Sequence, residues 1–96
     1  MISREDFIFA IGFEGPAAVV DGKAKKEFGK LATMELANKG LFRAAFSSAL
    51  YGKNEKEMSE FIAFFNAKAG TSYTEAAQLS RLFGVYLEEI EKVQIL

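Results

Sequence analysis

The sequence predicts a compact all-α bundle of five or six helices folded as one domain over residues 1–96. Three observations carry that expectation. Apolar residues recur at helical spacing over most of the chain after residue 33. Candidate capping residues precede these stripes and glycines follow them. The 96 residues suit a single domain and are too few for two. An N-terminal β-hairpin followed by helices is the alternative, and it concerns residues 7–28.

Ser3, with Asp6 three positions on, reads as a helix start, and Phe7, Ala10 and Ile11 would share the buried face. Phe7-Ile8-Phe9 and Ala17-Ala18-Val19-Val20 also read as strands on either side of Gly12 and Pro16. Pro16 suits the first turn of a helix running toward Phe28, with Ala17, Val20, Ala24 and Phe28 on one face. Helix is preferred for both segments, because an isolated hairpin needs further strands and none is evident downstream. The segment between Ile11 and Gly22 looks specified, and a tight turn docked on the core is the plain account of it.

Thr33 is placed to cap a short helix reaching Lys39, with Glu35 and Lys39 paired at i, i+4. Gly40 then bends the chain. Over residues 41–51, Phe42, Ala45, Phe46, Ala49 and Leu50 fall at i, i+3, i+4, i+7 and i+8, and Gly52 ends the stripe. Asn54 caps the next helix, Glu57 completes a capping-box-like pair, and Gly70 supplies a left-handed stop. Its buried face is read as Met58, Ile62, Phe65 and Ala69, widened by Phe61. Thr74 would cap a helix over residues 75–83 that stops at Gly84. A last helix over residues 86–95 would turn Tyr86, Ile90 and Val93 inward.

Composition removes several function classes. Lys plus Arg number 12 and Asp plus Glu 13, a net charge of −1, so no overall field draws in a polyanion. His and Cys are absent, which excludes imidazole bases, thiolate nucleophiles, disulfides and soft-metal sites. The carboxylate groups Glu55/Glu57/Glu60 and Glu88/Glu89/Glu91 lie on polar helix faces, and no Asp-x-Asp pattern exists for an oxygen-only cation site. The segment from Gly12 to Pro16 lacks the spacing of a phosphate loop and carries Glu14. No catalytic residue, metal or cofactor is expected. No apolar run reaches the ~20 residues of a membrane span, the start has no basic, apolar signal pattern, and a cytoplasmic location is expected.

Two surfaces remain. Lys23, Lys25, Lys26 and Lys30 form the densest basic cluster, a candidate for weak phosphate contacts, with Phe28 alone to stack on a base. Phe61, Phe64 and Phe65 lie too close together on one helix to share a narrow face, so Phe64 could stay exposed. Tyr51, Phe61, Phe64 and Lys68 are the candidate interface.

Residues 79–93 resemble the helix-turn-helix pattern of bacterial repressors. Leu79, Phe83, Val85, Ile90 and Val93 stand where that motif buries apolar residues, with Gly84 in the turn and Ser80 at the small position. The resemblance implies a closing helix-turn-helix-like pair whose second helix enters the major groove. Here that helix would present Tyr86, Leu87, Glu88, Glu91 and Lys92, and carboxylates repel phosphates at close range. The function expected is therefore a small, non-enzymatic protein-interaction module, with self-association as one mode. A nucleic-acid-binding regulator using Lys23–Lys30 or the terminal helix pair is the alternative.

Overall fold

Six helices and a three-stranded sheet form the computed structural model, which describes residues 2–14, 17–87 and 92–96. In chain order they are α1 (Arg4–Ile8), β1 (Ala10–Glu14), β2 (Ala17–Val20), α2 (Gly22–Phe28), α3 (Thr33–Asn38), α4 (Phe42–Gly52), α5 (Glu55–Ala69), α6 (Ala76–Phe83) and β3 (Lys92–Ile95). The molecule is mainly helical and not all-α.

The N-terminal third is divided. Ser3 does start a helix, α1, which takes in Phe7 and Ile8 and so rules out Phe7-Ile8-Phe9 as a strand. A hairpin forms further on, between residues 10–14 and 17–20. β1 and β2 pair antiparallel, with Ile11 as an extra residue between the Ala10–Val20 and Gly12–Val19 partners. β3 lies parallel to β2 on its other side, Ala18 opposite Val93 and Val20 opposite Ile95. The objection to a lone hairpin thus disappears, because the third strand comes from the far end of the chain. Of the helix expected to run toward Phe28, Pro16 lies outside the described residues and Ala17 to Val20 are strand instead. Only α2 is helical, capped by Asp21, which accepts a bond from the Ala24 amide at 3.1 Å.

The closing helix is a second correction. α6 and its left-handed Gly84 stop are present, but Tyr86 and Leu87 are not helical and residues 92–95 are strand. Positions 88–91 of that expected helix lie outside the described residues. A helix over residues 86–95 would leave the second edge of β2 without a partner. The alternation Lys92-Val93-Gln94-Ile95 instead matches the period of a strand, and its backbone completes the β2 ladder. The helix-turn-helix resemblance therefore stops at its first helix among the described residues.

α4 is the hub. Ala44, Ala45, Phe46, Ser47, Ser48 and Ala49 are all buried, because α1, α3, α5 and α6 pack around it. Five of the six are small, which lets neighbouring helices approach closely on several sides. Phe46 reaches between Phe61 at 6.1 Å and Phe83 at 5.6 Å, and Phe65 meets Phe42 edge-on at 5.3 Å. α5 follows the sequence closely: Asn54 caps the Glu57 amide at 3.1 Å and Gly70 takes a φ of 68°. Its buried residues are Phe61 and Phe65, while Met58 and Ile62 are partly covered and Ala69 is exposed. The buried stripe is thus centred on Phe61 and Phe65 rather than on the Met58/Ile62 line.

A polar seam joins five segments beside this core. The Arg4 guanidinium donates to the carbonyls of Gly29 and Leu31 and to Ser48 Oγ at 3.0 Å. Ser48 and Thr33 share a 2.7 Å hydroxyl bond, and Thr33 also reaches the Glu57 carboxylate. One set of donors satisfies the whole chain: Arg4 to Ser48, Ser48 to Thr33, Thr33 to Glu57. Thr33 and Ser48 are buried, where an unpaired hydroxyl would be costly.

Candidate functional site

The lysine cluster sits on α2 and the turn after it. Lys23, Lys26 and Lys30 are exposed. Lys25 is tied down, its Nζ 2.6 Å from Asp6 Oδ1 on α1. Lys25, Lys26 and Lys30 border a shallow hollow of about 490 Å³ together with Glu5, Gly22 and Ile95. Three of the four lysines therefore come together and Lys23 does not line the hollow, while Lys25 is paired with Asp6 and the Glu5 carboxylate stands beside the others.

The aromatic candidates divide. Phe61 is fully buried, with its ring 5.9 Å from Phe65, so it is removed from any surface. Tyr51 is half-buried; its ring lies 5.8 Å from Phe7 and its hydroxyl donates to the Ile2 carbonyl at 2.7 Å. It fastens the N-terminus to α4. Phe64 is also half-buried, 6.4 Å from Phe42, and the Lys68 ammonium lies 5.6 Å from its ring centroid, a cation–π contact. The structure brings Phe64 and Lys68 together and gives Tyr51 and Phe61 other work.

Apolar surface is found elsewhere, on the sheet. Val93 is 38% exposed and Ile95 54%. Both align with the buried Ala18 and Val20 of β2, so they continue the core face of the sheet past the helices that cover it. Leu96 is more exposed still. The Leu96 amide donates to the Val20 carbonyl at 2.9 Å. Because amides alternate in direction along a strand, those of Val93 and Ile95 point away from β2. β3 is an edge strand, and among the described residues nothing pairs with its outer side. Gly22 lets this strand end sit close: a Cβ there would lie 2.8 Å from the Leu96 carbonyl oxygen and 2.9 Å from Ile95 Cγ2.

Sequence reasoning missed this edge although its signal was present, as alternating polar and β-branched residues at 92–95. The i, i+4, i+7 spacing of Tyr86, Ile90 and Val93 and the helix-favouring glutamates between them outweighed four residues of alternation. No described helix is long and apolar enough to cross a membrane. No protein-family model, curated protein or solved structure matches the chain.

Proposed function

We propose that this protein is a non-enzymatic interaction module that self-associates, with the outer edge of β3 as the contact. The observation that carries the reading is the pair of exposed, core-facing residues Val93 and Ile95 on a strand whose outer amides are open. An open strand edge is a template for a further strand. Two copies related by a two-fold axis would align β3 antiparallel with β3, placing apolar side chains against each other. Four paired residues bury less than the ~1,200 Å² of a standard stable interface, so the dimer is weak and concentration-dependent.

Sedimentation across a concentration series tests this. The expected mass rises above the 10.6 kDa of one chain, and Ile95→Lys holds the protein at monomer mass with an unchanged far-UV spectrum. A parent protein that stays monomeric up to ~1 mM, the weak end of measurable association, would refute the reading. Nucleic-acid binding is the second reading, supported by the exposure of Lys23, Lys26 and Lys30. Three lysines release few counterions, so that binding would be weak, fade with salt and ignore sequence.

A further inference from the structure

On the opposite edge of the sheet from β3, a cleft of about 370 Å³ opens between β1, α2 and the start of α4. Phe9, Ile11, Ala24, Phe28, Leu41 and Phe42 give it a mostly apolar wall. Ile11, the extra residue of the β1 bulge, is 53% exposed beside it. One cation stands in this lining, Arg43. Its Nε is buried and has no acceptor, and among the described residues no carboxylate lies within ion-pair distance of its guanidinium. Burial lowers its pKa from the ordinary guanidinium value, yet it remains charged at neutral pH, as arginines in proteins do. Asp21 also lines the cleft, but its carboxylate is engaged in capping α2 through the Ala24 amide.

The first turn of α4 adds a second source of positive potential on the same wall. No side chain caps α4, and the amides of Phe42, Arg43 and Ala44 have no acceptor among the described residues. Gly40, Leu41, Phe42, Arg43 and Ala44 all border the cleft. An apolar slot with a single unsatisfied cation and the uncapped first turn of α4 in its wall is complementary to an amphipathic monoanion. A partly buried guanidinium without a carboxylate partner is unfavourable, and a ligand carboxylate offsets that deficit. The volume lies at the small end of ligand clefts, which span roughly 300–1,000 Å³.

We infer that this cleft binds a small carboxylate with an apolar body, its carboxylate at Arg43 and the first turn of α4 and its hydrocarbon against Phe9, Phe28 and Phe42. A single charge fits better than a phosphate, because the Asp21 carboxylate shares the cleft. The site lies apart from β3, so it stands or falls independently of self-association.

The test is calorimetric titration of the full chain with octanoate, with octanol as the uncharged comparison. Saturable binding of octanoate is expected, at least about tenfold tighter than octanol, the size of one charge-assisted hydrogen bond. Arg43→Met, which keeps the apolar stem, is expected to remove that preference. Ala24→Phe, which fills the cleft and leaves Arg43 in place, is expected to abolish binding of both. Circular dichroism checks that each variant is folded, and if Arg43→Met is not, the octanol comparison and Ala24→Phe decide. Octanoate that fails to saturate, binds no better than octanol or is indifferent to Ala24→Phe would overturn the proposal, as would a folded Arg43→Met that still prefers octanoate.

Discussion

Thr33 illustrates how a side chain legible as one thing serves as another. Its hydroxyl looks like a helix cap in the sequence, and the structure starts α3 at Thr33 itself, with Ala32 preceding the helix and its amide bonded to Glu35 at 3.0 Å. The freed hydroxyl joins Ser48 and Glu57 in the seam that Arg4 closes. Removing one buried member leaves its neighbours unsatisfied, so Thr33→Val is expected to lower stability by about 1–3 kcal/mol. Because the groups form one chain, Thr33→Val and Ser48→Ala together should cost less than the sum of the two single changes. Urea unfolding of the four proteins measures this, and simple additivity would show that the hydroxyls act separately. Arg4, Ser48, Thr33 and Glu57 are spread from α1 to α5, and no spacing in the sequence could have linked them. Phe61 was half legible: its helix was identified, but which of Phe61 and Phe64 faces inward depended on where α4 and α6 lie.

Local signals sufficed for the elements whose ends are marked by chemistry. α5 runs from the residue after Asn54 to the residue before Gly70, and α4 is displaced by a single residue from its apolar stripe. The strands were harder, because each is only four or five residues long and a sheet is stabilised by partners remote in sequence. Gly22 shows how closely β3 is seated, since a Cβ would meet Leu96 and Ile95 well inside contact distance. Gly22→Ala has two opposing effects: it favours helix α2 by up to about 1 kcal/mol and displaces the end of β3. Hydrogen exchange separates them. The Leu96 amide, bonded to Val20, is expected to exchange faster in the variant while amides of α4 and α5 are unchanged. An unaltered Leu96 rate would mean that β3 yields without losing its ladder.

At the scale of the whole molecule, one continuous cluster links Phe7 and Ile8 of α1, Ala18 and Val20 of β2, Leu36 of α3, Phe46 of α4, Phe61 and Phe65 of α5 and Leu79 of α6. A single core of this kind implies all-or-none unfolding. Far-UV circular dichroism and tyrosine fluorescence should therefore report the same denaturant midpoint, since Tyr51 and Tyr73 both pack against the cluster. Separate midpoints would show that the sheet and the helices around α4 unfold independently. Periodicity, caps and composition suffice to make the chain mainly helical, to locate α4, α5 and α6 and to exclude imidazole and thiolate chemistry, because they are properties of neighbouring residues. That residues 10–14 and 17–20 are strands, that residues 92–95 pair beside them, that Lys25 is paired with Asp6 and that Arg43 lines an apolar cleft follow only from the folded chain. Each of those depends on groups far apart in the chain, whose free energy of association exceeds the small differences in local propensity that a sequence displays.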